Sequence, residues 1–486
     1  MDNNRFDLSG PITEHEFDGI IRPFEPFEDD PIVGVGVSGG ADSLCLLILL
    51  DVWLRRRGGR AVALIVDHRI RPETQQEIQQ VKSWLSVYGI ENHVLFWHDQ
   101  KPKTGVQAAA RNARYQLLTQ WCWREGVLHL ALAHHQNDQA ETYLLRKDRG
   151  SGPDGLAAMP IVSERNSVRI LRPFLSIPGQ RLRSTLQCIQ QQWIEDPSNK
   201  DPAYARTLVR ERLNRSQEDD TVVDRISELA SEYASWRCMA DKATARFLAL
   251  AARIDPAGFC LLEKETLKTT PKRIALRALA QLLLSMGGQQ YSPNERSLFL
   301  LYESICGDRL AGGRTLAGCY ITSHQGVLLI CREPVAAQQR ISLSVQRTAD
   351  WDRRFHVCLE HKSPIKSRHY EVAQLGANGW HDVKRSLTSF HGRELPLFVK
   401  YTLPALWDLD GIVSVPHLDY QRHNSRRLEA FRFMAKFRPR RALAGPPFKG
   451  PFYPRRRQIS PSDCKQIEVL YCESGLTQQL ESVCSE

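Results

Sequence analysis

The chain has 486 residues, 42% of them hydrophobic and 25% charged, with a formal net charge of +10. That length exceeds one ordinary core and implies two or three domains, while no apolar run is long enough to cross a bilayer. The twelve cysteines are scattered, with no C-x-x-C pair, which argues against structural zinc or an iron–sulfur cluster.

Residues 1–30 are acidic, lack an apolar signal core and read as an N-terminal extension of a cytoplasmic protein. Ile32 to Val37 is β-branched and apolar, as a buried strand requires. Ser38-Gly39-Gly40-Ala41-Asp42-Ser43 follows, and then Leu44 to Leu50 can form a helix. A strand, a tight glycine turn and a helix N-terminus make an anion site: glycines let the main chain approach closely, and amides at the positive end of the helix dipole point at the ligand. Ser38 and Ser43 add hydroxyls. Asp42 would repel a bare phosphate and suits a shared Mg²⁺ better. The Lys of a nucleotide-kinase loop and the third spaced glycine of a dinucleotide fingerprint are both absent.

Further along, Ala61 to Val66 reads as a strand ending at Asp67-His68, and Glu73 to Tyr88 as a helix with Ile78, Val81, Leu85 and Tyr88 on one face. His93 to Trp97 is a strand, Val106 to Glu125 a helix, and Leu128 to Ala133 a strand ending in His134-His135. Asp138 to Arg146 begins another helix. The alternation predicts an α/β fold, a parallel sheet with helices on both faces, whose strand ends form one crevice. Asp138 and Glu141 are three apart and share a helix face. Facing a phosphate site, two carboxylates suit metal ligation or proton removal. An acid-rich first helical turn is the structural alternative.

Ser-Gly-Gly-x-Asp-Ser is similar to the PP-loop of enzymes that cleave ATP to AMP and pyrophosphate. With Val66-Asp67-His68-x-x-Arg71-Pro72, Gln107-Ala108-Ala109-Ala110-Arg111-x-Ala113-Arg114-Tyr115, Asp138-Gln139-Ala140-Glu141-Thr142 and Arg149-Gly150-Ser151-Gly152-x-Asp154-Gly155-Leu156, the first two fifths of the chain resemble tRNA(Ile)-lysidine synthetase. The match continues through Leu171-Arg172-Pro173 and Trp193 to Asn199.

This resemblance implies a Rossmann-like PP-loop ATP pyrophosphatase that adenylates the wobble cytidine of an isoleucine tRNA with a CAU anticodon and lets free L-lysine displace AMP, giving lysidine. It implies ATP held by Ser38, Gly39, Gly40, Ala41, Asp42 and Ser43, Mg²⁺ on Asp42 and Asp138, and catalytic work by Asp42, Asp138, Glu141, Arg111, Arg114 and Arg206, with Arg210 a further candidate. It admits a homodimer. Four departures stand out: Asn137 where an acid is usual, Arg69 after Asp-His, Lys147-Asp148, and Thr207 where Asn is usual. The alternatives are another PP-loop tRNA-modifying enzyme, such as a thiolase, or an inactive tRNA-binding homologue.

The expected domains are 31–215 for the PP-loop, 216–335 for a helical, substrate-positioning domain and 347–486 for a small basic C-terminal domain. Within them, Arg212 to about Ser285 reads helical, Gly312 to Glu333 reads as a β-meander, and Ala336 to Gln346 as a linker. The tail interleaves Arg422, Arg426, Arg427, Arg432, Lys436, Arg438, Arg440, Arg441 and Arg455 to Arg457 with Phe431, Phe433, Phe437, Phe448, Phe452 and Tyr453. That mixture suits RNA contact, and equally a solvated tail with buried anchors.

Overall fold

The computed structural model describes residues 10–69, 74–99, 102, 104–165, 167–195, 208–210, 213, 221–344, 347–361, 370–386, 394–422 and 431–453. It divides into two compact units, one formed by residues 1–237 with 448–486, the other by 238–447.

The first unit is built on a six-stranded sheet ordered β3-β2-β1-β4-β6-β5. Its strands are β1 (Ile32–Val37), β2 (Arg60–Asp67), β3 (Glu91–Phe96), β4 (His129–Ala131), β5 (Val162–Arg165) and β6 (Val168–Leu171). All pairings are parallel except the β5–β6 hairpin, an antiparallel edge that the motif pattern did not announce. Along β2, Ala61, Ala63 and Ile65 enter one core and Val62 and Leu64 the other. A strand covered on both faces must be apolar along its middle, and β2 is from Ala61 to Val66.

One face is covered by α1 (Glu14–Ile21), α2 (Ala41–Arg55), α3 (Thr74–Val87) and α7 (Gly179–Cys188). The other is covered by α4 (Val106–Arg124) through Leu118 and Cys122. Helix α5 (Gln136–Asp148) follows β4, a short α6 (Pro153–Leu156) follows α5, and α8 (Thr221–Ala251) lies behind α5, where Ala140 and Tyr143 meet Ile226 and Ala230. The extension expected over 1–30 is not separate. Phe17 and Ile21 of α1 are buried in the main core, and Arg181 pins Glu16 at 2.6 Å.

The second unit corrects two expectations. The stretch expected to be helical from Arg212 to Ser285 is interrupted by an antiparallel hairpin, β7 (Ala252–Asp255) and β8 (Phe259–Glu263), before α9 (Lys264–Thr269) and α10 (Lys272–Gly287). That hairpin joins the meander β9 (Arg314–Leu316), β10 (Cys319–His324) and β11 (Val327–Arg332) in one sheet, packed by α10 and α11 (Glu295–Cys306). The stretch expected as a linker holds β12 (Ile341–Ser342), the edge of a second sheet with β15 (Glu371–Gln374), β16 (Pro404–Asp408), β17 (Gly411–Val415) and β18 (Tyr420–Gln421).

A third sheet pairs β13 (Thr348–Trp351), β14 (Phe355–His361) and β19 (Phe431–Phe437). The expected domains 216–335 and 347–486 therefore do not match the compact units. Most of both lies in the second unit, while residues 448–453 belong to the first. Three of the tail aromatics are core: Phe433 is buried in this third sheet, Phe437 packs against it, and Phe448 is buried in the first unit, whereas Phe452 is exposed. Arg422 is tied to Asp408 at 2.5 Å. Arg432, Lys436, Arg438, Arg440 and Arg441 are exposed, whereas Arg426, Arg427 and Arg455 to Arg457 lie outside the described residues.

Candidate active site

The loop after β1 has the conformation its composition demands. Gly39 has φ +82°, a region L side chains rarely adopt. A Cβ there would lie 2.9 Å from Val81 Cγ2 and 3.1 Å from Ile194 Cδ1. The Gly39 carbonyl accepts from the Ile194 amide at 2.9 Å. Gly40 is the N-cap of α2, so the amides of Ala41, Asp42 and Ser43 begin the helix without intrahelical acceptors.

Ser43 is buried and acts as a brace: its hydroxyl accepts from the Ser38 amide at 3.2 Å and donates to the Gly40 carbonyl at 3.0 Å. Ser38 Oγ is 3.3 Å from Ser43 Oγ and is itself exposed. The cradle is thus made of main-chain donors with one free-facing hydroxyl.

Opposite stands the start of α5. His135 is its N-cap, and Asp138 Oδ2 accepts the His135 amide at 3.1 Å, a reciprocal capping box. The His135 ring bridges the two acids that sequence reading singled out. Its Nε2 is 3.6 Å from Asp42 Oδ2 and 3.7 Å from Asp138 Oδ2. Burial, with Asp138 adding to it, holds the Asp42 carboxyl above its usual range, while His135, Arg183 and Arg210 pull it back.

Arg210 closes the other side. Its Nε donates to Glu141 Oε1 at 2.5 Å, and its Nη2 is 3.8 Å from Asp138 Oδ1. Glu141 is only 3% exposed, so the ion pair is what makes its burial tolerable.

Asp42, Asp138, Glu141 and Arg210 are therefore brought together. Arg111 and Arg114 sit on α4. The Arg114 guanidinium is 3.8 Å from where a side chain at Gly36 would begin, near the end of β1. Arg111 is exposed, its guanidinium 5.5 Å from the Tyr115 ring. Burial raises the Tyr115 phenol, yet Arg172, Arg111 and Arg114 together bring it below its ordinary value, so the local potential is positive. Burial drives His134 down to about 3, leaving a neutral imidazole among these arginines. Arg206 lies outside the described residues.

Two departures from the family pattern acquire a physical reading. Asn137 Oδ1 accepts the Gly179 amide at 3.3 Å, a bracing role that needs an acceptor but no charge. Arg69 stands at φ 50°, where its amide bonds Asp67 Oδ1 at 2.7 Å and its guanidinium lies 4.8 Å from the Phe96 ring. Sequence reasoning missed the bridging position of His135 and the support from Asp224, which accepts from Gln136 Nε2 at 2.8 Å. The adjacent histidines before the acids were the available signal for the first. The second joins residues 88 apart and left none.

Asp42 and Asp138 fit a divalent cation: two partly buried carboxylates converge on one nitrogen, and burial already disfavours the charge on Asp42. Among the described residues no group of three or more His, Cys, Asp and Glu forms a ready metal cage. Two protein carboxylates, with the remaining oxygens from phosphate and water, is the usual Mg²⁺ arrangement.

A parallel sheet with an anion loop at the end of β1 and acids across the crevice defines a PP-loop domain, and residues 12–217 match the model of the PP-loop domain family ATP_bind_3. The chain belongs to the tRNA(Ile)-lysidine synthase family. It is 36% identical to the tRNA(Ile)-lysidine synthase of Wolbachia sp. subsp. Brugia malayi over 349 residues, 70% of this chain and 80% of that one. It is 33% identical to that of Bradyrhizobium diazoefficiens over 350 residues, 68% and 96% of the two chains. With that of Rickettsia bellii it shares 28% identity over 414 residues, 84% and 93%. No described helix is long and apolar enough to cross a membrane.

Proposed function

We propose that this chain ligates free lysine to the wobble cytidine of the isoleucine tRNA with a CAU anticodon, using ATP and forming lysidine, AMP and pyrophosphate. The observation that carries the reading is the convergence of Asp42, at the start of the loop helix, with Asp138 across the crevice. It supports a site in which a main-chain phosphate cradle and an acidic patch work together.

In the first step the cytosine C2 oxygen attacks the α-phosphorus, and the bond to pyrophosphate breaks. The amides of Gly40 to Ser43 and the Ser38 hydroxyl hold the departing phosphates, their dipoles already aimed before charge develops. Mg²⁺, held by Asp42 and Asp138, would offset charge on the phosphates. Arg111 and Arg114 supply positive potential on the α4 side for the nucleotide or the RNA.

In the second step the lysine amine forms a bond to C2, and AMP leaves with the oxygen. The amine must first lose a proton, which passes to a carboxylate or to water. Glu141, held in its ion pair with Arg210, adds its charge to the acidic patch that receives the lysine. Burial pushes the Cys45 and Cys122 thiols up to about 12, the opposite of the activation a sulfur-transfer reaction needs.

The test is mass spectrometry of anticodon nucleosides after incubating the purified chain with its tRNA, ATP, Mg²⁺ and lysine. A cytidine heavier by lysine less one water is expected. Unmodified cytidine from a folded, ATP-binding preparation overturns the reading.

A further inference from the structure

After the second unit the chain returns to the first as a short strap, residues 448–453, and every described contact of this strap lies on the supports of α5. Phe448 is buried against Ala157 and Ala234, with the Arg237 guanidinium 4.3 Å from its ring centroid. Arg237 also donates to the Asp154 carbonyl at 2.7 Å. The Lys449 carbonyl accepts the Ile161 amide at 2.8 Å, as a neighbouring strand would. Gly450 lies so flat on α8 that a Cβ there would sit 2.3 Å from Ala234 Cβ. The Pro451 carbonyl accepts from Ser231 Oγ at 3.0 Å, and the Tyr453 hydroxyl donates to the Leu175 carbonyl at 2.9 Å.

The strap joins two of the bodies that fix the start of α5; a third, the segment after α6, holds the Gln139 side chain through the Met159 carbonyl at 2.8 Å and amide at 2.9 Å. Helix α8 does so through Asp224, which holds Gln136 Nε2, and through Ile226 and Ala230, which pack on the back of α5. The segment from Leu175 to Gly179 does so through the Ile177 carbonyl, which accepts the Gln136 amide at 3.0 Å, and through the Gly179 amide, bonded to Asn137. Asp138 and Glu141 stand on the first turn and a half of that helix.

We infer that Phe448, Gly450 and Tyr453 are positioning residues: the strap buckles α8 to the Leu175–Gly179 segment and so holds Asp138 and Glu141 at the distance from Asp42 that the reaction requires. The Ser38–Ser43 loop is anchored separately, by β1, α2 and Ile194. Releasing the strap should therefore impair the acid side of the site and spare the phosphate side. The kinetic part of this inference rests on the proposed ligase activity. The structural part does not.

The experiment compares the full-length chain with Gly450→Val and Tyr453→Phe, using amide hydrogen exchange and steady-state kinetics. Gly450→Val should speed exchange at His135, Gln136 and Gln139 at least tenfold and lower kcat for lysine transfer about tenfold, with KM for ATP within twofold. Tyr453→Phe keeps the ring, loses one hydrogen bond, and should move the same readouts two- to threefold. Exchange at those amides equal to the parent while Lys449 to Tyr453 exchange freely overturns the inference. So does a Gly450→Val chain whose strap amides are unchanged, because the strap then does not lie on α8. Should Gly450→Val fail to fold, Tyr453→Phe decides alone: unchanged exchange at Gln136 overturns it. A parent that ligates nothing removes the ligase reading, while the exchange data still decide the buckle.

Discussion

Gly39→Ala tests the phosphate loop by adding a single methyl group. Two costs follow from the geometry. Holding an L residue at φ +82° costs about 1–2 kcal/mol. The new Cβ would also meet Val81 Cγ2 at 2.9 Å and Ile194 Cδ1 at 3.1 Å. The end of Ile194 can swing, but Val81 is 2% exposed in the main core and β-branched, so it cannot. Overpacking of this sort costs about 1–3 kcal/mol. The expected loss is about 2–5 kcal/mol if the loop keeps its shape. If it instead relaxes, stability is recovered in part and the amides of Gly40 to Ser43 no longer point at one locus, so KM for ATP rises. Urea unfolding followed by tryptophan fluorescence, paired with ATP-dependent pyrophosphate release, reads both arms. Stability within about 0.5 kcal/mol of the parent together with an unchanged KM would refute the loop geometry.

Other outcomes follow from the same geometry. Asp42→Asn should abolish pyrophosphate release without unfolding the chain; release at the parental rate removes Asp42 from the chemistry. Arg210→Met removes the described ion pair of the buried Glu141, so lysine transfer should fall at least tenfold, and the pair Arg210→Met with Glu141→Gln should be less damaging than the sum of the singles. Strict additivity of the two in a double-mutant cycle would show that the ion pair carries no coupling.

His134 is depressed to about 3 in the fold against 6.5 when unfolded. The unfolded chain therefore binds the extra proton first. The stability due to neutral His134 is complete above pH 6.5 and is lost as pH falls toward 3, at up to about 1.4 kcal/mol per pH unit. A His134→Gln chain should show a shallower decline between pH 6 and 4 in urea titrations, and an identical slope would contradict the burial. Iodoacetamide at pH 8 should label the exposed Cys188 quickly and leave Cys45 and Cys122 unlabelled in the native chain, as peptide mass spectrometry can check. Rapid labelling of Cys45 would mean that α2 is not packed as described.

Much of the first unit was legible because a parallel strand buried on both faces writes itself as a solid apolar run, as in Ile32 to Val37 and Ala61 to Val66. The loop was legible because few sequences satisfy both its φ requirement and its brace. Asp138 and Glu141 were legible because a helix turns their spacing into a shared face. Helix α1 was missed because its first half is dominated by Glu14, Glu16 and Asp18, which mask the buried Phe17. The β7–β8 hairpin was missed because the apolar run Phe247 to Ala252 carries the character of the preceding helix straight into β7. Asp255-Pro256-Ala257-Gly258, a turn by its composition, was the signal passed over. The tail aromatics misled because alternation along β19 sends Phe433 inward and Arg432 and Lys436 outward, so a row of mixed residues on paper becomes two separate faces. Arg210 on Glu141, 69 positions away, and Tyr453 on Leu175, 278 positions away, depend on tertiary closure that local pattern does not encode.

The role of Ser43 as a brace has a consequence for mutational tolerance. Because its hydroxyl is spent inside the loop, the proposed phosphate contacts there fall to main-chain amides and the Ser38 hydroxyl. Saturation mutagenesis of the loop should then give a sharply uneven map: narrow tolerance at the bend and at the brace, where shape is set, and wide tolerance for small residues at Ala41, whose side chain contributes only packing.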